Sequence, residues 1–250
     1  MAKIPIMVER RLKSEVPRFQ KILAQAQLKD INEADTVAIV ADMLEGVFGY
    51  DKYEDITREF AIKNTYVDLA VKTEKEIDFL IEVKSIGTNL KNLHLKQAVD
   101  YAANRGVQWA ILTNGVIWQA HRVTVDGRVS SEEVFCIDFL SLSIRNTSDL
   151  ESVFLLCKKG LGKGAIDDYY QQSQAFNKYV VGTILQSENI AKPVRTLLRK
   201  ISPGLKVDLS DICEMISKEV IKREITDSQT EECQALIKKT NNQIKKINKK

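Results

Sequence analysis

The sequence predicts an α/β fold, with a core built on a central mixed sheet flanked by helices and a helical C-terminal region after it. Three observations predict it. Residues 66–71 and 77–83 alternate apolar and polar side chains with the two-residue period of a strand. Between about residues 30 and 140 the patterns run helix, three strands, helix, then two or three strands. From residue 141 onward the apolar spacing is helical. These patterns divide the chain into a helical lead-in at 1–31, a core at 32–140 and a helical region at 141–250.

The lead-in carries Leu12, Val16, Phe19, Leu23 and Ala26 at helical spacing, with Ser14 as N-cap and Pro17 in the first turn. A second helix is expected from Asn32 to about Phe48. Asn32 and Asp35 form its capping arrangement, and Gly49 is its left-handed stop. Val37, Val40, Leu44 and Val47 make its core stripe. Glu45 lies beside that stripe, one turn after Ala41, where small neighbours would let a carboxylate approach a sheet; the plainer reading is a solvated helix-end glutamate.

Residues 55–63 read as a strand. The next two segments form a hairpin folded near Lys75, which sets Asp68 opposite Glu82, with Lys84 on the same face. Val67, Leu69, Val71, Ile77, Phe79, Ile81 and Val83 would share the other, apolar face, and a slip of one residue would bury the charges. Two acids and a cation on one face are what metal-assisted attack on a phosphodiester needs, although an isolated Glu-x-Lys on a strand is more commonly a surface pair. A helix over about 90–105, closed by Gly106, puts Gln97 and Tyr101 one turn apart on the face of His94; taken alone this is a polar helix face. Residues 107–113 read as a central strand. Asn114-Gly115 reads as a type I′ turn into a strand at 116–123, and Asp126-Gly127 as a turn into a weaker strand near 134–137.

In the C-terminal region, Ser148 and Glu151 suit a capping box for a helix to about Lys158. Further helices are expected over 165–187, 210–223 and 231–247. The glycines at 160, 162 and 164 beside Lys159 and Lys163 lack phosphate-loop spacing and read as a flexible inter-domain linker. The lysines at 238, 239, 245, 246, 249 and 250 could touch nucleic acid or form a solvated helix end. Trp109 and Trp118 read as packing aromatics rather than base-stacking platforms.

Composition narrows the function classes. A net charge of +3 neither requires nor opposes a nucleic-acid partner. No apolar run approaches the roughly 20 residues of a membrane span, and the N-terminus lacks a secretory h-region, so a cytoplasmic location is expected. Cys136, Cys157, Cys213 and Cys233 form no Cys-x-x-Cys pair and read as reduced thiols. With His94 and His121 as the only histidines, neither a His-based zinc site nor a Ser-His-Asp triad is expected.

Taken together, Glu45, Asp68, Glu82-Val83-Lys84 and Gln97-x-x-x-Tyr101 resemble the PD-(D/E)xK nuclease superfamily, and thus imply a restriction-endonuclease-like core. Residues 32–123 resemble more closely the N-terminal nuclease domain of type I restriction enzyme R subunits, as a stand-alone relative. The resembling segments are residues 44–50, 66–68, 81–84, 97–101 and 112–115 with Trp118, in the family's order. Val67 stands where the motif's proline would be. The sequence has no Walker-type loop, so ATP-driven translocation does not carry over.

The resemblance implies Mg²⁺-dependent hydrolysis of nucleic-acid phosphodiesters, with DNA as the expected substrate and Mn²⁺ as a substitute ion, in a restriction or phage-defence setting. Asp68, Glu82 and the Val83 carbonyl would be metal ligands, with Glu45 as a further acid. Lys84 would position the attacking water, Gln97 would orient the site and Tyr101 would meet the substrate backbone. The alternative is a catalytically silent nucleic-acid-binding or scaffolding module on the same fold. A homo-oligomer or a protein partner held through 141–250 is a further expectation.

Overall fold

A computed structural model describes residues 3–62, 65–73, 76–226 and 231–248, without the side chains of 59–62, 65, 66, 226, 231 and 232. The turn expected at Lys75, the Tyr66 side chain, Lys249 and Lys250 therefore lie outside the described residues. The chain divides into two compact units, residues 1–170 and 171–250.

The first unit begins with α1 (Ile6–Leu28), whose buried residues Leu12, Val16, Phe19, Leu23 and Ala26 are the expected stripe, extended by Val8. That extension moves the start to Ile6, so Ser14 is inside the helix and not its cap. Pro17 lies mid-helix, and the buried stripe on both sides offsets the backbone hydrogen bond it removes. In α2 (Glu33–Met43) the Asn32 side chain accepts from the Asp35 amide at 2.9 Å. The helix widens into a π turn over Leu44–Phe48 and stops at Gly49, whose φ of 79° is left-handed. Arg11 of α1 donates to the Val47 and Phe48 carbonyls, which that stop leaves without helical partners.

The sheet has the order β1 (Ile56–Ile62), β2 (Thr65–Thr73), β3 (Glu76–Val83), β4 (Trp109–Thr113), β5 (Ile117–Asp126), β6 (Arg128–Asp138). Neighbours are antiparallel except β3 and β4, which run parallel and are joined through α3 (Asn92–Arg105). The sheet is therefore mixed, as the sequence predicts, and it is covered on both faces. On one face α1, α2 and the helices after the sheet pack on Leu69, Val71, Phe79, Ile81, Val83, Ile111 and Trp118. On the other, α3 packs on Ala70, Leu80, Ala110, Leu112 and Val123.

The β2–β3 hairpin keeps the expected register, with Leu69 opposite Ile81 and Ala70 opposite Leu80. A register shift at Val71/Lys72 turns Ile77 onto the α3 side, and Val67 is also buried there, so these two leave the expected apolar face. The β4–β5 connection is not type I′, which requires positive φ at both central residues. Only Gly115 is left-handed, at 83°. Asn114 instead uses its side-chain oxygen to accept from the Val116 and Ile117 amides at 3.1 and 2.8 Å. Both tryptophans are packing residues: Trp118 lies 4.9 Å from Phe48 by ring centroids, and Trp109 meets Tyr170 edge-on under Arg122.

After the sheet come α4 (Thr147–Leu155), α5 (Lys158–Leu161) and α6 (Ala165–Ala175). The cap of α4 is Asn146, which accepts from the Ser148 amide, rather than Ser148. The glycine-rich stretch is neither a phosphate loop nor an inter-domain linker. It forms α5 and its following turn within the first unit, where Gly160 is buried and a Cβ would collide with the Phe154 carbonyl. Cys157 is a core thiol that burial pushes up to about 12. The second unit holds α7 (Lys178–Leu185), α8 (Glu188–Ile201), α9 (Leu209–Met215), a π turn at Ile216–Val220, α10 (Arg223–Thr226) and α11 (Glu231–Ile247). The single helix expected over 165–187 is broken at Asn177, whose side chain caps α7. The sequence reading missed α8.

His121 on β5 is 2% exposed beneath α3, and burial lowers its pKa to about 4. An unfolded imidazole titrates near 6.5, so the native state keeps His121 neutral where the unfolded chain takes up a proton. The stability this contributes is present above about pH 6.5 and is lost as pH falls through 4. Between pH 7 and 4 the wild type should lose about 3 kcal/mol more than His121→Gln in urea unfolding. Parallel pH profiles would contradict this.

Candidate functional site

β3 carries the candidate chemistry where it leaves the sheet. Glu82 is paired in register with Leu112, and the Lys84 amide donates to the Thr113 carbonyl at 2.8 Å, so β4 fixes the backbone on both sides of Val83. From the other side, the Val83 amide donates to the Asp68 carboxylate at 2.7 Å. Asp68 is thereby held against β3 beside Glu82. The loop after Lys84 is held by Asn114, which donates to the Ile86 and Thr88 carbonyls at 3.2 and 3.0 Å.

Glu82 is 7% exposed. One of its oxygens accepts from Lys84 Nζ at 2.8 Å; the other is buried and has no hydrogen-bond partner among the described residues. A buried carboxylate oxygen without a partner is costly. Burial pushes the Glu82 carboxyl up, the hydrogen bond from Lys84 opposes this, and the Asp68 and Glu33 carboxylates add to the rise. Burial alone would lower the Lys84 ammonium, but Glu82, Glu33 and Asp68 more than offset it, so Lys84 is held charged.

The structure thus brings together Asp68, Glu82, Val83 and Lys84. It adds an acid the sequence reading missed: Glu33, at the start of α2, lies 3.4 Å from Lys84 Nζ. Glu45, the acid expected from that helix, is 12 residues further on, roughly 18 Å along the axis. It is exposed and lines a surface groove with Arg11, Glu15, Arg18 and Asp42. The structure places Glu33, and not Glu45, beside Lys84. An acid in the first turn of α2 was the available signal. Gln97 is exposed on α3. Tyr101, expected to meet substrate, is 4% exposed and belongs to the core between α3 and the sheet, which raises its phenol.

The donor set is of hard oxygens, which suits Mg²⁺ or Mn²⁺. Among the described residues no three His, Cys, Asp or Glu side chains gather into a closed metal cluster. The fit rests instead on the partnerless Glu82 oxygen beside Asp68.

A mixed sheet between helical layers, with two acids and a lysine where β3 leaves it, is the architecture of a restriction-endonuclease-like core. Residues 40–134 match the family described as type I restriction enzyme R protein N terminus, and this segment resembles the nuclease domain of those subunits. The match spans the end of α2 and its π turn, β1 to β5, α3 and most of β6, and includes Glu45, Asp68, Glu82, Lys84, Gln97 and Tyr101 but not Glu33. No curated protein and no solved structure matches the chain.

Since the native carboxyl of Glu82 is raised, its contribution to stability is complete below the ordinary value of 4.5 and is lost as pH rises through the native value. In EDTA, Glu82→Gln should therefore unfold at higher urea than the wild type at pH 8, with the gap narrowing towards pH 4. An equal gap at both pH values would show that the raised carboxyl is not its source.

Proposed function

We propose that the first unit is a metal-dependent nuclease that hydrolyses nucleic-acid phosphodiesters, with DNA as substrate, in a cytoplasmic restriction or defence setting. The observation that carries the reading is the buried Glu82 carboxylate, with one oxygen on Lys84, the other without a partner, and Asp68 fixed beside it. The match to a restriction-enzyme family over residues 40–134 supports the same reading.

Asp68, Glu82 and the Val83 carbonyl would hold Mg²⁺ or Mn²⁺. When bound, such an ion polarises a phosphoryl oxygen and acidifies a coordinated water. The chain's own residues do the rest. The Val83 amide fixes the rotamer of Asp68, so one ligand is oriented before substrate arrives. Lys84, kept protonated by three carboxylates, orients the attacking water and offsets charge that develops on the phosphoryl group. Glu33 holds the far side of Lys84 and keeps the ammonium over Glu82. Exposed Gln97 would face the substrate side of α3, whereas Tyr101 supports the helix from within.

Purified protein with Mg²⁺ should nick or cut linear, circular or single-stranded DNA, and EDTA should stop it. Asp68→Ala, Glu82→Ala and Lys84→Ala should each lower the rate by at least about 100-fold. Glu33→Gln should lower it more than Glu45→Gln, while leaving stability within about 1 kcal/mol because the pair is half-exposed. Cleavage that persists in the Asp68 and Lys84 variants would remove the assignment. Metal-independent DNA binding without cleavage would favour a silent binding module.

A further inference from the structure

The charge of the chain is segregated. Residues 171–250 carry fifteen Lys and Arg against nine Asp and Glu, six positive in excess, while residues 1–170 carry twenty-two against twenty-five. Part of the excess lies on α11. Its inward face, with Cys233, Leu236, Ile237, Thr240 and Ile244 less exposed than the rest, packs within the second unit against α7. The outward face carries Lys238, Lys239, Asn242, Gln243 and Lys246, flanked by Lys245, all exposed; with Ala235, five of them line a shallow groove. The unit's ion pairs among the described residues join Lys178 to Glu224, Lys192 to Glu188 and Lys218 to Glu214. None of the four α11 lysines has an acid within ion-pair distance among the described residues. A helix C-terminus favours Lys245 and Lys246, but not the pair two turns earlier.

We propose that the outward face of α11 grips the phosphate backbone of a nucleic acid without reading its sequence. The two lysine pairs are about 10 Å apart along the helix, and the amides of Asn242 and Gln243 between them are suited to phosphate and sugar oxygens. An anionic membrane fits less well. A helix that lies on lipid must insert an apolar face, and the apolar face of α11 is taken up by α7. The choice of nucleic acid as the polyanion rests on the nuclease reading of the first unit; the binding itself does not.

The test uses the full chain in a Lys84→Ala background, so that binding is read without cleavage. Anisotropy of a labelled DNA duplex is followed across a NaCl series. Replacing Lys238, Lys239, Lys245 and Lys246 together by Gln should weaken binding at least about tenfold at low salt. It should also flatten the slope of log K against log salt by up to about 3.6, which is 0.9 for each of four phosphates no longer neutralised. The same four positions changed to Arg should keep both. Unchanged affinity and slope in the Gln variant would overturn the proposal, as would equal loss in the Arg variant. Lysine-dependent capture by phosphatidylserine vesicles with no lysine dependence on DNA would also overturn it. With Lys84 restored, cleavage is scored separately: a wild type that binds through these lysines but never cuts would remove the nuclease reading and leave this one standing.

Discussion

The hydrogen bond from the Val83 amide to the Asp68 carboxylate is the constraint around which the site is arranged. It joins a side chain of β2 to the backbone of β3 at the end of their hairpin. On its other side, β3 is held by parallel pairing to β4 through Glu82 and Val83, and the Lys84 amide continues that ladder to Thr113. The strand therefore leaves the sheet under control from both neighbours. Asn114 then ties the following loop through the Ile86 and Thr88 carbonyls, so the path into α3 is fixed as well. Those pairings hold the acids and the lysine in place, and both faces of the sheet are sealed around them by α1, α2 and α3.

Most of this was legible in the sequence because it is periodic. Alternation over 66–83 gave the hairpin and its register, and the pairs Leu69–Ile81 and Ala70–Leu80 are those that place Asp68 beside Glu82. Apolar spacing gave α1 and α2, and Asn32, Gly49 and Gly106 mark ends that local chemistry dictates. What failed depended on something other than period. The type I′ reading of Asn114-Gly115 assumed that Asn would take positive φ, whereas its side chain satisfies two amides of the turn itself and reaches two carbonyls of a distant loop. Ser14 looked like a cap because Pro17 follows it, yet burial of Val8 and Leu12 draws the helix past both.

The acid on α2 shows the same boundary within the site. Glu33 falls in phase with the stripe of Val37, Val40 and Leu44, whereas Glu45, twelve residues on, is turned about 120° around the helix and lies beside that stripe. Only the packing of α2 across the end of β3 selects Glu33 for Lys84. Tyr101 illustrates the converse. Four residues from Gln97 it shares a helix side, but α3 sits low enough on the sheet that one is exposed while the other joins Leu112 and Ala110 in the core.

A scaffold that only binds would have little physical reason to keep Glu82 as it stands. A buried carboxylate costs several kcal/mol unless its oxygens are satisfied, and replacing such a group by an apolar residue of similar size is commonly neutral or stabilising. Here one oxygen is satisfied by Lys84 and the other by nothing among the described residues. Lys84 is itself shared with Glu33, so three acids stand around one cation. A cation supplied from outside would relieve the repulsion among these carboxylates and occupy the unpartnered oxygen. Strain of this kind is what a site shows when its charge balance is completed by its ligands and not by its fold.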